Sequence, residues 1–513
     1  MIIDAHIHPS ANFDHSDGYQ DIMFRMAMAG IDLVIASDLG NWSEFPDTQT
    51  LQTANARLRD GAQRHAPRLQ YLVYLNPQLP DWETELETHR STAIGIKLWI
   101  SLKGANGSLE NTVSVLRRAA AIDLPVLIHV YHRTDGMRPG EINLNEFCDL
   151  CRAVPECTII GAHAGGNWRE ARGRLRQLPP NKYYDISGGY PERDMVKQLV
   201  SSDGAERIVF GSDAIGRSFA SQLAKVTLAC ISAEEKEQIL WKNATKIFKL
   251  ESVIAQLQPL PVRPKNDYIY PPFSEDHFCF CGSWPFTGES VTPPELANTL
   301  THHGISRGFA VNLTDIFQSD LPVCNQRFAT TCAEYPVIAP LAIVDPRRVD
   351  AFSQLNSMKP FAGIWVSPYL HNYPLDAPEL APFWSACAER QVKIWVNTSV
   401  SDYRFRSPSL AARPVTPDEL YNFMKHVPSN HYTVQAWPLP NGVTSAANNG
   451  VWRFECSRLS DIERSPSEFF GCHDAGILVW GSEFPFRDYS QVYQSLTGTN
   501  PENIRHNIER CNR

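Results

Sequence analysis

The strongest constraint on the fold is that the chain carries one ordered series of short apolar segments twice. The offset between matched positions is almost constant, at 268 residues from Gly95 to Gly363 and 270 residues from Asp213 to Glu483. Seven matches in the same order predict an internal duplication whose period is half the chain. The matched segments are 2–9 and 279–285, 30–36 and 304–311, 71–78 and 339–348, 95–102 and 363–370, 124–131 and 392–399, 208–216 and 478–486, and 242–248 and 506–511.

Each half alternates strand-like apolar segments with helical stretches such as 111–121 and 231–249. This alternation predicts a parallel sheet covered by helices, and eight such units in about 250 residues is the size of a TIM barrel. Periodicity alone would also allow a doubly wound sheet. We predict an α/β chain of two tandem TIM (β/α)8-type barrels, the first at 1–256 and a degenerate second at 274–513. The proline-rich segment 257–273 is the predicted linker.

Composition and charge indicate what class of protein this is and which partners to expect. The chain has 43% hydrophobic and 20% charged residues, which is typical of a folded globular protein, and a formal net charge of −9. This charge predicts neither nucleic acid nor an anionic membrane as a partner. The opening MIIDAHIHPS lacks a signal-peptide pattern, so we expect a cytoplasmic protein. Its 12 cysteines are expected to be free thiols, with Cys148 and Cys151 on an amphipathic helix.

Five candidate metal ligands fall where strand-like segments end, which is where a barrel carries its chemistry. His6 and His8 end the first segment and, because they are two residues apart on a strand, they point to the same side. His129, His163 and Asp213 end later segments. Imidazoles combined with a carboxylate suit zinc or another first-row divalent cation. The pattern predicts a metal centre in the first half of the chain.

These residues lie within motifs that resemble those of a known family. The motifs are DAHIH (4–8), GIKL (95–98), LIH (127–129), HAGG (163–166), DISGG (185–189), FGSD (210–213) and NATKIF (243–248). The first half therefore resembles the amidohydrolase superfamily, in its amidohydrolase-related or family 2 branch. The resemblance implies a bound divalent metal, zinc first with manganese or iron as alternatives. It implies the ligands His6, His8, His129 and Asp213, with Asp213 also the general base and His163 either a ligand or a group that polarises the substrate.

Lys97 and four loop residues complete the predicted site. In some amidohydrolases a lysine at the place of Lys97 is carboxylated and bridges two metals, whereas many family 2 members hold one metal, so both arrangements stay open. The predicted substrate-binding residues lie just beyond strand ends and are Trp99, Tyr131, Arg133 and Arg138. The planar fork of an arginine suits a substrate carboxylate.

The second half has lost the ligands in the same alignment. The expected counterparts are Gly282 for His6, Trp284 for His8, Trp365 for Lys97, Asn397 for His129, Trp437 for His163 and Glu483 for Asp213. Because glycine and tryptophan do not bind metals, we predict no metal there, and tryptophans that fill the former pocket. The family commonly forms homodimers of barrels, so the resemblance implies an intramolecular pseudo-dimer, with further homo-oligomerisation left open.

Three functions are open at this stage. The first is a metal-dependent hydrolase that cleaves a small organic acid, amide or lactone through a metal-activated water. The second is a non-oxidative decarboxylase of an unsaturated or aromatic acid, which uses overlapping ligands. The third is a non-catalytic binding or scaffold protein. The intact ligand set in the first half argues against the third.

Overall fold

A computed structural model describes residues 1–9, 18–134, 136–260, 274–436, 451–455, 457–458 and 478–492. These residues form two compact units, one before and one after the proline-rich segment in the sequence. The exact domain limits, 1–256 and 274–513, stay predictions. No helix among the described residues combines the length and the apolar character needed to cross a membrane.

The N-terminal unit contains eight parallel strands whose order in the sheet is their order in the sequence. The strands are β1 (Ile3–Ile7), β2 (Leu33–Ala36), β3 (Leu69–Leu75), β4 (Gly95–Leu98), β5 (Val126–Ile128), β6 (Ile159–Gly161), β7 (Lys182–Asp185) and β8 (Ile208–Val209). Backbone hydrogen bonds from Ala5 to Phe210 and from Asp213 to His6 connect the last strand region to β1. The sheet is therefore a nearly closed barrel of the TIM type.

Helices connect and cover these strands. They are α1 (Gly18–Ala29), α2 (Thr48–Arg64), α3 (Trp82–His89), α4 (Glu110–Ala121), α5 (Leu144–Ala153), α6 (Trp168–Ala171), α7 (Met195–Asp203), α8 (Phe219–Thr227), α9 (Ala233–Glu237), α10 (Asn243–Phe248) and α11 (Glu251–Ile254). Helix α5 begins with a capping box made by Asn143 and Glu146. It carries Cys148 and Cys151 as buried free thiols, which confirms the predicted amphipathic helix.

The core of this unit has two layers. Strand residues such as Ile35 and Leu127 pack with Ile247 and Phe248 of α10 in one buried cluster. A larger cluster lies between the strands and the surrounding helices. Burial on both faces explains why the strands read as continuous apolar runs rather than as alternating ones. The packed barrel leaves the carboxyl ends of the strands for the polar residues.

The C-terminal unit contains a nine-stranded sheet that is parallel except for one short strand. Its strands are β9 (Glu275–Ser283), β10 (Ser290–Val291), β11 (Arg307–Asn312), β12 (Ile338–Ile343), β13 (Gly363–Val366), β14 (Ile394–Asn397), β15 (His431–Gln435), β16 (Val451–Glu455) and β17 (Leu478–Val479). Its helices are α12 (Pro293–His302), α13 (Leu321–Cys332), α14 (Ala351–Gln354), α15 (Ala381–Glu389) and α16 (Pro417–His426). The sheet begins with β10 paired antiparallel to β9.

One backbone contact occurs at equivalent places in both units. In the first unit the N–H of Asp213 donates to the carbonyl of His6 at 2.7 Å, and in the second the N–H of Glu483 donates to the carbonyl of Phe278 at 2.7 Å. Both donors have a positive φ, 63° at Asp213 and 55° at Glu483. Phe278 therefore takes the position that His6 has in the first barrel.

The predicted counterparts of the first two histidines, Gly282 and Trp284, are therefore wrong by four residues. Phe278 is followed two residues later by Phe280, which takes the place of His8. The cause is a hairpin: β9 continues beyond Phe280 and pairs with β10, and the N–H of Trp284 donates to the carbonyl of Glu289. Pro285, which ends the matched segment in the second half, consequently lies seven residues after Phe278, whereas Pro9 lies three residues after His6.

The predicted counterpart of His163 also changes. The N–H of His163 donates to Asp185, and the N–H of Ala436 donates to Glu455 in the same way. His163 and Ala436 share a φ of 58°. Ala436 is therefore the counterpart, whereas Trp437 was predicted and lies outside the described residues. The linker beyond residue 260 and the segment 506–511 also lie outside them.

Candidate metal centre

The carboxyl-terminal end of the first barrel brings together six predicted site residues: His6, His8, Lys97, His129, His163 and Asp213. Nε2 of His6 lies 2.9 Å from Nε2 of His8 and 2.8 Å from Nζ of Lys97. Nε2 of His163 lies 3.2 Å from Nδ1 of His129. The rings of His6 and His163 are 5.4 Å apart, so the two histidine pairs belong to one cluster.

The first pair of histidines has its outer nitrogens fixed by oxygen acceptors. Nδ1 of His6 lies 2.8 Å from a carboxylate oxygen of Asp185, and Nδ1 of His8 lies 2.9 Å from the carbonyl of Ser37. A carboxylate or carbonyl oxygen only accepts hydrogen bonds, so each Nδ1 carries the proton and each Nε2 carries a lone pair. The Lys97 ammonium, 2.8 Å from Nε2 of His6, can donate to one of these lone pairs, and a cation placed between the two Nε2 atoms would satisfy both.

The second pair is His129 and His163. The same rule applies, except that in His129 Nε2 carries the proton and Nδ1 carries the lone pair. Nε2 of His129 lies 2.9 Å from Oε1 of Glu141, and Nδ1 of His163 lies 3.2 Å from the carbonyl of Ser187. The lone pairs of His129 Nδ1 and His163 Nε2 therefore face each other. Two pairs of facing imidazole lone pairs therefore lie in one cluster, and neutral imidazole nitrogens are donors that a divalent metal accepts.

The loop after β7 supports this arrangement. The Ser187 hydroxyl lies 2.9 Å from Nδ1 of His6 and 3.0 Å from Nδ1 of His163. The next residue, Gly188, has a φ of +67°, and a Cβ there would lie 2.6 Å from Nδ1 of His163. Lys225 donates to the carbonyl of Gly188 at 2.6 Å. The DISGG motif indicated this loop, but the sequence did not assign roles to Asp185 or Ser187.

Burial sets the protonation of the cluster. It lowers the pKa of His6, His8 and His163 well below the usual histidine range, and charged or ring neighbours lower it further. Neutral imidazole is the form that binds a metal. Burial also lowers the pKa of Lys97 to about 8, although Asp185 and Asp213 oppose the shift.

Donor chemistry fits a divalent cation. One candidate atom from each of His6, His8 and Asp213 lies within 4.8 Å of the others, and the same holds for His6, His163 and Asp185. We favour the first group, because Asp185 already accepts from Nδ1 of His6. Imidazole nitrogens with a carboxylate oxygen suit zinc. Within the part of the chain that the structure describes, both groups lie in the first barrel.

Asp213 differs from the histidines in its access to solvent. Its carboxylate lies 3.5 Å from Nε2 of His8, and its side chain is 21% exposed while that of His8 is 3% exposed. Asp213 adopts a φ of 63°, a conformation that Asp and Asn tolerate better than most residues. The carboxylate can therefore contact both the candidate metal position and an incoming molecule.

Aromatic side chains border the cluster. The Tyr131 ring stacks on His129 with centroids 5.7 Å apart, and the Trp99 ring meets His129 edge-on at 6.5 Å. Trp42, which the sequence did not indicate, lies 5.9 Å from Trp99 and 5.5 Å from His8. It is 42% exposed and has a φ of 61°, a strained conformation for a bulky residue.

The two predicted substrate-binding arginines lie in different surroundings. Arg133 is 10% exposed, donates from Nε to Glu141 at 3.1 Å and stacks over Tyr131 at 4.5 Å. Arg138 is 47% exposed and pairs with Glu44 at 2.7 Å. The structure therefore brings Arg133 to the edge of the cluster but leaves the Arg138 side chain at the surface. Their substrate-binding roles stay predictions.

In the second unit, the acid equivalent to Asp213 is held by cations rather than by histidines. Glu483 is fully buried and lies 2.7 Å from a guanidinium nitrogen of Arg458 and 2.8 Å from Nε of Arg487. Two guanidinium groups thus lie beside the carboxylate that would otherwise be available to a metal. The predicted counterparts Trp365 and Asn397 are fully buried as well.

We expect Glu483→Gln to destabilise the second unit by about 3–5 kcal/mol, because it leaves buried guanidinium groups without their charge partner. Urea unfolding should show this as a lower midpoint. Glu389→Gln is the control, since Glu389 is 77% exposed in its pair with Arg390 and should change stability by no more than about 0.5 kcal/mol. Equal midpoints for the two variants would show that the ion pairs do not stabilise the unit.

Comparisons with known proteins bear on the N-terminal unit. The family model Amidohydro_2 (Amidohydrolase) matches residues 3–250. No curated protein sequence matches the chain. Solved structures similar to about half of the chain include 2,6-dihydroxybenzoate decarboxylase from Rhizobium, with 17% identity, 48% of this chain and 98% of that chain covered, and a TM-score of 0.39.

Two further structures have similar values. 4-Oxalomesaconate hydratase from Rhodopseudomonas palustris has 16% identity, 50% and 98% coverage and a TM-score of 0.39. A variant of 5-carboxyvanillate decarboxylase from Novosphingobium aromaticivorans, solved with bound manganese, has 16% identity, 49% and 97% coverage and a TM-score of 0.39. The sequence match to the amidohydrolase family thus spans the barrel that carries the histidine cluster.

Proposed function

We propose that the N-terminal unit is a metal-dependent hydrolase that acts on a small organic acid, amide or lactone. The observation that carries this proposal is the facing lone pairs of His6 and His8 beside the partly exposed carboxylate of Asp213. Zinc fits the nitrogen-rich donor set best, with manganese or iron as alternatives. A divalent cation held there supplies Lewis acidity, which lowers the pKa of water and polarises a carbonyl oxygen.

The chain's own residues supply the remaining parts of the reaction. His6, His8 and Asp213 would hold the cation, and His129 and His163 lie in the same cluster. The Asp213 carboxylate takes the proton from the attacking water and returns it to the leaving group. Its partial exposure supports this role, because a base must reach a molecule that enters from solvent. Trp99 and Tyr131 form the wall beside which the substrate lies.

Decarboxylation of an unsaturated or aromatic acid is the second candidate. The aromatic side chains of Trp42, Trp99 and Tyr131 favour it, since flat apolar walls suit a conjugated substrate. The same metal site would then polarise the acid rather than activate water.

Product analysis separates the two reactions. A screen of amides, lactones, and unsaturated and aromatic acids with the zinc, manganese and iron forms should yield an acid or amine without carbon dioxide. Stoichiometric release of carbon dioxide would instead establish the decarboxylase. Protein stripped of metal by a chelator is the control and should be inactive in either case. Failure to bind any of the three metals would exclude both reactions.

We further propose that the second unit is a degenerate copy that arose by internal duplication. The matching Asp213–His6 and Glu483–Phe278 backbone contacts support this, as does the shared pattern around Asp185 and Glu455. Phenylalanine at the two histidine positions and buried guanidinium groups beside the acid support a unit that binds no metal.

A further inference from the structure

Glu141 is a fully buried carboxylate that the sequence did not single out. It lies on the loop after β5, and its two carboxylate oxygens accept different numbers of hydrogen bonds. Oε1 accepts from Nε2 of His129 at 2.9 Å. Oε2 accepts from Nε of Arg133 and from the backbone N–H of Arg138, both at 3.1 Å. One donor therefore points to one oxygen and two donors point to the other.

Arg133 is held on a second side as well. Its guanidinium carbon lies 4.5 Å from the centroid of the Tyr131 ring, which itself stacks on His129. Glu141, Arg133, Tyr131 and His129 thus form a closed ring of contacts. A change in any one of them alters the surroundings of the His129 imidazole.

We propose that Glu141 and Arg133 are a positioning pair that fixes the tautomer of His129, so that Nδ1 presents its lone pair to the metal. This inference rests on the proposed metal function of the N-terminal unit. It gives Arg133 a role that acts through Glu141 on the metal ligand, in addition to any contact with substrate. Outer partners of this kind typically change metal affinity by about 10–100-fold when they are removed.

Because one oxygen of Glu141 accepts one hydrogen bond and the other accepts two, Glu141→Gln should change the hydrogen bonding of His129 in a predictable way. The two donors on the Oε2 side require an acceptor, so the carbonyl of the new amide should turn to them. Its NH₂ group then points at Nε2 of His129, which must accept, and the ring proton moves to Nδ1. We expect zinc affinity to fall by about 10-fold or more, measured by competition with a chromophoric chelator.

The tautomer itself is measurable without metal. Long-range ¹H–¹⁵N spectra of the metal-free protein should show a proton on Nε2 of His129 in the wild type and on Nδ1 in Glu141→Gln. The signal is assigned by its loss in His129→Gln. If the wild type binds no zinc, the proposed function fails, but these spectra still decide whether Glu141 sets the tautomer.

Arg133→Met and Arg138→Met form a matched pair. Both residues contact Glu141, but Arg133 does so through its side chain and Arg138 through its backbone N–H, which methionine keeps. Zinc affinity should fall in Arg133→Met and stay within about twofold of the wild type in Arg138→Met. Combining Arg133→Met with Glu141→Gln should cost less affinity than the two single losses together, since only one donor then remains on the Oε2 side.

Glu85→Gln controls for the loss of a buried carboxylate. Glu85 lies on α3, and its side chain contacts His89 at 3.2 Å and Asn55 at 2.9 Å, neither of which belongs to the cluster, so its variant should bind zinc like the wild type. If Glu141→Gln does not fold, Arg133→Met still tests the proposal. Arg133→Met should keep the His129 tautomer, because the Glu141 carboxylate still accepts from Nε2. Wild-type zinc affinity in Arg133→Met, or an unchanged His129 tautomer in Glu141→Gln, would overturn the proposal.

Discussion

Replacing Asp213 with asparagine should reduce kcat by about 10²–10⁴-fold on any substrate that the wild type turns over, since this is the usual contribution of a general base. Asparagine keeps an oxygen that can face the cation, and it tolerates the φ of 63° that Asp213 adopts. It cannot take a proton from water at neutral pH. We therefore expect the variant to fold and to bind metal while it loses turnover, as measured by steady-state kinetics on metal-loaded protein.

Asp194→Asn provides a matched control. Asp194 lies in the same unit with a φ of 60°, and it borders α7 rather than the cluster. The same chemical change at the same backbone conformation should leave kcat within about twofold, because no group beside Asp194 takes part in the proposed reaction. If metal-loaded Asp213→Asn kept more than a tenth of the wild-type kcat, Asp213 would not be the base.

Much of the first unit could be predicted from the sequence because its strands are short apolar runs that end in polar residues. The runs ending at His129 and Asp213 each correspond to a strand of the barrel. In a parallel barrel the strand order follows the chain and all carboxyl ends meet at one edge. Local sequence therefore sufficed to predict that His6 and Lys97, 91 residues apart, would lie at the same edge of the barrel, and the structure places them 2.8 Å apart.

Residues that support the cluster were harder to find, because their partners are distant in the chain and their positions are set by loops. Glu141 contacts His129 only because the loop after β5 folds back, and Trp42 contacts His8 from a strained turn. Neither loop has a periodic pattern that reveals its path. Asp185 lay within a recognised motif, yet its bond to His6 spans 179 residues.

The register error in the second half has a physical cause. The alignment relied on the apolar segment and the proline that ends it, Pro9 in the first half and Pro285 in the second. The β9–β10 hairpin adds four residues between Phe280, the counterpart of His8, and Pro285, which a segment match cannot detect. Backbone hydrogen bonds to Phe278 locate the correct position.

The corrected alignment leads to a second prediction with a large expected effect, which concerns His6 and His8. Phe278 and Phe280 show which side chains this fold accepts at the positions of His6 and His8, so we expect His6→Phe combined with His8→Phe to fold. The double variant removes two ligands and should weaken zinc binding well beyond the roughly 10–100-fold that outer-shell changes produce. Metal analysis after dialysis should find no bound cation, and turnover should be lost.

Trp284→Phe is the control for a change to phenylalanine outside the proposed metal site. Trp284 follows β9 in the second unit and packs against Phe286 and Phe317. Its variant should keep the wild-type metal content and turnover. A double variant that still held one equivalent of zinc after dialysis would show that His129 and His163 bind the cation without the first strand, and the ligand set proposed here would be wrong.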